Sequence, residues 1–202
     1  DGCGRAGLAA SPEYPPDVIA ALRERTGNMA SGPLFWTPTI EGLYNFPYTV
    51  KNHEFIDGTD WHVGLTPAIV DDIRQSLAHP ERIGYFQQTP QRWPTLQRKF
   101  QQLRESGVLL LIGTDSGIPM KFHSGSTWNE LDVGVNKLGV PTIDAIRAAT
   151  YWPAVAMKAD KDYGTVTEDK YADIIAVKGD VLKQVALLQR VDIVVKHGRR
   201  IK

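Results

Sequence analysis

The residues best suited to chemistry sit in one short segment. Gly113-Thr114-Asp115-Ser116-Gly117 directly follows the apolar run Val108 to Ile112. In parallel α/β architectures functional groups collect at the C-terminal ends of strands. An aspartate there, between glycines that let backbone or ligand approach closely, is suited to hold a metal ion or a water. Asp, Ser and Gly are also turn formers, so a plain turn is the competing reading. His123, in Lys121-Phe122-His123-Ser124-Gly125, lies a few residues further on. It is suited to bind substrate or to orient Asp115, with a solvated loop histidine as the alternative. His53, His62, His79 and His197 show no HxH or HExxH spacing, and His197 before Gly198 reads as part of a turn. No P-loop, GxGxxG or GxSxG is present. Cys3, between Gly2 and Gly4, is a weak candidate nucleophile.

The elements that must position Asp115 follow from periodicity and punctuation. Residues 15–27 read as a short helix with Pro in its first turn, Val18, Ile19 and Leu22 on one side and Gly27 as its stop. Residues 33–40 (PLFWTPTI) are aromatic and β-branched and read as a buried strand. Residues 41–65 read as irregular and aromatic, with Tyr44, Phe46, Tyr48, Phe55 and Trp61, in the manner of a lid, a binding loop or an interface. Thr66-Pro67 opens a helix to about Ala78, and residues 94–106 form a second, with Leu96, Phe100 and Leu103 on one face and Gly107 ending it. The run 108–113 (VLLLIG) suits a parallel strand covered on both faces. Helices are expected at 127–138 and 142–150, strands at 171–177 and 191–196, and a short helix at 181–188.

Composition bounds the function classes. The chain has 202 residues, 42% hydrophobic and 23% charged, as an ordinary globular protein does. Lys and Arg number 23 and Asp and Glu 23, so the net charge is zero and no basic footprint for nucleic acid is present. No run approaches the roughly 18 apolar residues a membrane span needs. With one cysteine no intrachain disulfide can form, which fits a reducing compartment and slightly favours the cytoplasm. The chain opens on Asp-Gly-Cys-Gly rather than Met, so the natural protein is expected to begin earlier.

The stretch from Val108 to Lys202 resembles the C-terminal third of metal-dependent amidohydrolases, in the branch with imidazolonepropionases and prolidase-like peptidases. The matching pieces, in the family's order, are LLLIGTDSG, HSGSTWNEL, the helix TIDAIRAATYWPAVAM, YGTVTEDKYADIIAV and DIVVKHGRRI. The earlier LFWTPT resembles the seventh barrel strand of the same branch. The resemblance implies an α/β chain forming the C-terminal part of a (β/α)8 TIM barrel, about strands 7–8, plus part of a small β-rich domain. In that scheme 34–39 is strand seven, 108–113 is strand eight, 1–163 is a partial barrel and 164–202 is the small domain's C-terminal part. Gly164, Ala172 and Asp173 would then serve a turn and the start of a strand.

The same resemblance implies that Asp115 binds the catalytic metal, a divalent ion such as zinc, and handles the proton of the attacking water. The bond cut would be an amide, peptide or cyclic amide C–N bond in a small, dipeptide-like substrate. Zinc lowers a water's pKa toward 7, and a carboxylate beside it can carry the proton to the leaving nitrogen. His123, Thr39 and the aromatic loop 42–61 are weaker candidates for substrate contacts. The family's other ligands, a His-x-His on strand one, a modified Lys on strand four and histidines on strands five and six, have no counterpart in this sequence. A barrel of this class takes roughly 250 residues. The alternative is therefore a chain that is not catalytic alone, a split or truncated piece needing a partner or an oligomer, or else a binding module on a barrel relic.

Overall fold

The computed structural model describes residues 13–45, 61–117, 121–123 and 125–202. Cys3, His53 and residues 46–60 of the aromatic loop lie outside them.

Helix α1 (Pro16–Gly27) has proline in its first turn and buries Ile19. It runs through Gly27 and stops at Asn28, whose side chain accepts from Ala30 N (3.1 Å) and opens a 3-10 turn. Thr26 Oγ1 donates to Ser106 O (2.5 Å), which docks α1 on the turn entering the second strand. Strand β1 (Phe35–Trp36) and strand β2 (Leu109–Leu110) pair in parallel, Phe35 opposite Leu109 and Trp36 opposite Leu110. Parallel strands need a long crossover, and here it includes two helices. Helix α2 (Pro67–Ala78) is capped by Thr66, whose Oγ1 accepts from Ile69 N at 3.4 Å, as the Thr-Pro pair predicts. Helix α3 (Gly84–Glu105) delivers the chain to Gly107 and β2.

Three helices follow β2: α4 (Ser126–Asn136), α5 (Thr142–Ala149) and α6 (Tyr151–Ala156). The core joins the first two of these to the parallel pair. Leu96 and Phe100 of α3, Leu131 and Val133 of α4, Ala145 of α5 and Ile40 and Leu43 form one buried cluster. Phe100 is 2% exposed, and its ring centroid lies 5.1 Å from that of Trp36 on β1. Leu103 is buried as well, so the face read on this helix is its core face. Trp61, Leu77 and Phe86 make a second cluster, against which Phe122 packs.

The chain ends in a three-stranded antiparallel sheet, β3 (Ile174–Ala176), β4 (Ile193–Lys196) and β5 (Arg199–Arg200), in sequence order. The β4–β5 turn is His197-Gly198, with φ of 50° and 72°. Two central residues with positive φ are what a two-residue hairpin of type I′ requires, and the turn expected there is found. Asp173 fastens it, accepting from His197 N (2.8 Å) and pairing with Lys196.

Several elements differ from expectation. Strand pairing at β1 and β2 covers fewer residues than 33–40 and 108–113, and Leu109 and Leu110 are half-buried rather than covered on both faces. Each of these strands has one strand neighbour among the described residues, so the apolar run signals more cover than this sheet supplies. Residues 41–45 are helical, not irregular. Helix α3 begins ten residues before Pro94 and passes through both Pro90 and Pro94. Proline is favoured at a helix start, and inside a helix it removes one hydrogen bond and crowds the carbonyl four residues back, so other contacts must offset it here. The helix expected at 142–150 is found as α5, but the longer helix implied by TIDAIRAATYWPAVAM breaks at Thr150 (φ −131°, ψ −73°) before α6. The segment expected as a helix at 181–188 is a 3-10 turn, Val185–Gln189, and β5 was not anticipated.

Gly164 is more constrained than a turn glycine. Its φ is +91°, and a Cβ there would stand 2.9 Å from Ala154 Cβ and 3.0 Å from Tyr151 Cα. Left-handed backbone costs a residue with a Cβ about 1–2 kcal/mol, and overpacking adds about 1–3. Gly164→Ala is expected to lower the unfolding free energy by roughly 2–5 kcal/mol in urea titration. A change under about 0.5 kcal/mol would show that the packing between α6 and this turn is looser than described.

Candidate functional site

The loops that leave β1 and β2 run side by side. Leu109 N donates to Leu34 O and Leu111 N to Trp36 O, both at 2.9 Å, so the strands exit in register. Beyond them Gly113 lies against the other loop. A Cβ on Gly113 would collide with the Thr37 methyl and stand 3.7 Å from Thr39 Cγ2. The glycine before Asp115 is thus a close-approach residue that brings Thr39 beside the 113–117 segment.

Asp115 and Thr39 share a conformation. Asp115 has φ 54° and Thr39 φ 49°. Left-handed backbone is tolerated by Asp but is an outlier for a β-branched residue. Such strain persists where surrounding structure imposes it, and it clusters at functional sites. Asp115 is exposed. Its flanks are fixed: Thr114 Oγ1 accepts from Ser116 N (3.3 Å) and Ser116 Oγ (2.8 Å), and Gly117 N donates to Lys121 O (3.2 Å). The segment is therefore a turn in form, which leaves its chemical reading open.

His123 is exposed, at the base of α4. Its neighbour Phe122 anchors the chain there. The Phe122 carbonyl accepts from Ser126 N (3.0 Å) and Ser126 Oγ (2.8 Å), and its ring lies 4.9 Å from Trp61. Among the described residues no hydrogen bond or ion pair joins Asp115, His123 and Thr39. Nor do three His, Cys, Asp or Glu side chains gather among the described residues in a group able to hold a metal. One exposed carboxylate does not hold zinc, which takes three or four ligands. The described donor set alone does not fit that ion.

Three charged residues beneath the loops were not singled out in the sequence. Glu130 of α4 is 2% exposed, and its two carboxylate oxygens accept from Ile40 N (2.9 Å) and Glu41 N (2.7 Å). It caps the helical turn 41–45 from another element, satisfying donors that a helix start leaves unpaired. Lys121 Nζ lies 3.3 Å from Glu41 Oε2 and donates to Thr39 O (3.4 Å), with both side chains of the ion pair almost wholly buried. Asn45 Nδ2 donates to Glu41 Oε1 at 3.3 Å. The structure, rather than the sequence pattern, marks Glu130. With Ser126 and Gly134 it occupies the i, i+4, i+8 stripe of α4, all three buried, so an acid lies on the core face.

Burial pushes Glu130 up to about 7, against the pull of the two backbone N–H groups and Lys121. Burial also raises Glu41, against Lys121 and Asn45. A carboxyl raised in the folded state stays protonated after its unfolded counterpart has ionised near 4.5. The native state then binds more protons, and stability falls as pH rises from about 4.5 through about 7. For Glu130 the loss is on the order of 3 kcal/mol. Asp173, held below its ordinary value by Lys196 and the His197 N–H, acts in the opposite sense but only at more acid pH. The melting temperature is expected to drop between pH 5 and pH 8, with a smaller drop in Glu130→Gln. Equal slopes in the two proteins would contradict this assignment.

Comparison with known proteins adds the family. The profile described as the amidohydrolase family matches residues 96–201, just over half of the chain. The chain belongs to the amidohydrolase family. A comparison with curated proteins finds no match. Among solved structures it is similar to a Xaa-Pro dipeptidase crystallised with methionine bound in the active site. The TM-score is 0.60 and the identity 25%, over 94% of this chain and 38% of that one. It also resembles A. niger ochratoxinase (TM-score 0.59, 21% identity, 98% of this chain and 40% of that one). A third likeness is to a prolidase complexed with N-methylphosphonate-L-proline (TM-score 0.56, 18% identity, 91% and 38%). The chain thus spans about two fifths of the length of these structures, and the likenesses imply a fold of the TIM-barrel type. Among the described residues no helix is long and apolar enough to cross a membrane.

Proposed function

We propose that the protein is a hydrolase of amide or peptide C–N bonds, acting on small dipeptide-like substrates with a divalent metal, zinc in the first instance. The observation that carries the reading is the position of Asp115. It follows the C-terminal end of a strand in a parallel pair, within the residues matched to the amidohydrolase family. In this reading β1 and β2 belong to barrel strands seven and eight, residues 1–163 to the barrel and 164–202 to the small domain. Asp115 is the metal-binding carboxylate and the base that takes the proton of the attacking water and returns it to the leaving nitrogen. His123, Thr39 and loop 42–61 contact the substrate. A bound zinc ion would polarise the scissile carbonyl and acidify the water. The similarity to a Xaa-Pro dipeptidase supports Xaa-Pro dipeptides as the first substrates to try.

A second reading is favoured by the donor set and the coverage: this chain becomes catalytic only with the remaining ligands supplied by another chain or segment. Elemental analysis and Xaa-Pro hydrolysis, run on the 202-residue chain and on the full-length protein, separate the two. Stoichiometric zinc and turnover in the 202-residue chain would remove the second reading. Zinc and turnover confined to the longer protein or to a complex would support it. Absence of amide hydrolysis in every form would remove both.

A further inference from the structure

The two loops of the candidate site are joined from below by one residue. The Lys121 carbonyl accepts from Gly117 N (3.2 Å) and so ties down the end of the segment 113–117, two residues past Asp115. Its side chain crosses to the other loop, where Nζ reaches Thr39 O (3.4 Å) and Glu41 Oε2 (3.3 Å). Glu130 holds the far side by accepting from the backbone of Ile40 and Glu41.

This arrangement is costly to build. A lysine with its side chain 1% exposed must recover the hydration it gave up, and a buried pair is retained only with good partners. Lys121 Nζ faces Glu41 Oε2 at 3.3 Å, and its charge opposes the effect of burial on that carboxyl. The second contact of Lys121 is the carbonyl of Thr39, the β-branched residue with left-handed backbone. A strained residue stays strained when its neighbours over-determine it, and Lys121 supplies such a hold.

We infer that Lys121 is a positioning residue, which locks the Asp115 loop to the Thr39 loop and fixes the spacing of the two across the site. Glu41 and Glu130 complete the lock. The inference deepens the proposed hydrolase function and rests on it for its kinetic consequence, whereas the structural consequence stands alone.

The test uses the full-length protein, its Lys121→Met variant and the double variant Lys121→Met/Glu41→Gln, which removes both charges of the ion pair together. In hydrogen exchange, the Leu111, Gly117 and Ile40 amides are expected to exchange at least about tenfold faster in both variants. Val194 and Ile201, in the distant antiparallel sheet, should keep their rates. In Xaa-Pro hydrolysis, kcat should fall by about 10- to 100-fold with KM within about threefold, because misplaced reacting groups cost rate more than binding. Unchanged exchange at Gly117 and Leu111 would overturn the inference. So would a uniform rise that includes Val194 and Ile201, unfolding of the double variant, or loosened loops with unchanged kcat. If the wild-type protein hydrolyses no amide, the proposed function fails while the exchange rates still decide the lock.

Discussion

Asp115→Asn is expected to lower kcat/KM of the full-length protein for an Xaa-Pro dipeptide by about a thousandfold or more, with the melting temperature within a degree or two of wild type. The two halves of that expectation have separate causes. After glycine, asparagine is the residue best tolerated in left-handed backbone, so the φ of 54° at this position persists. The side chain is exposed, and no hydrogen bond or ion pair of it is found among the described residues, so little packing is disturbed. The chemistry is different. An amide cannot take a proton from water, and general-base catalysis alone is worth about 10²–10⁴ in rate. It is also a poorer ligand for a divalent ion, so metal content should fall in parallel. Alanine would mix this effect with backbone strain of about 1–2 kcal/mol, which makes asparagine the cleaner probe. A variant that keeps more than a tenth of wild-type turnover would remove Asp115 from the centre of the chemistry.

Glu130→Ala should produce the largest loss of stability, about 3–5 kcal/mol. Two buried backbone N–H groups, of Ile40 and Glu41, lose their acceptor, each at roughly 1–3 kcal/mol, and a void opens on the core face of α4. Since domains are stable by only about 5–15 kcal/mol, this loss removes a large share of the total and should lower the melting temperature markedly. Glu130→Gln keeps one carbonyl acceptor and turns an amide donor toward the other N–H, so its cost should be about half as large. Urea titration at pH 7 measures both. An alanine variant within about 1 kcal/mol of wild type would mean that the 41–45 turn finds other partners.

The features that were legible in the sequence are those set by local chemistry. Thr66-Pro67 announced α2, the face of Leu96, Phe100 and Leu103 announced the buried side of α3, and His197-Gly198 announced a turn, though not the strand β5 beyond it. The ordered motifs from LLLIGTDSG onward announced the family. What escaped notice depends on distant partners. Helix α3 runs through two prolines, whose lost hydrogen bonds and ring crowding are offset by packing such as that of Leu96 and Phe100. The 41–45 turn is helical in part because Glu130, far away in sequence, accepts from its first amides. Lys121 looked like the flank of a histidine motif, and its burial follows from the fold rather than from its neighbours in the chain.

Diffraction from full-length protein crystals grown with zinc, recorded at the zinc absorption edge, tests the central claim most directly. The account predicts an anomalous peak about 2 Å from a carboxylate oxygen of Asp115, with nitrogen or oxygen ligands supplied by residues outside those described. A fully bound zinc ion that leaves Asp115 unligated, or an active enzyme with no metal beside Asp115, would contradict it.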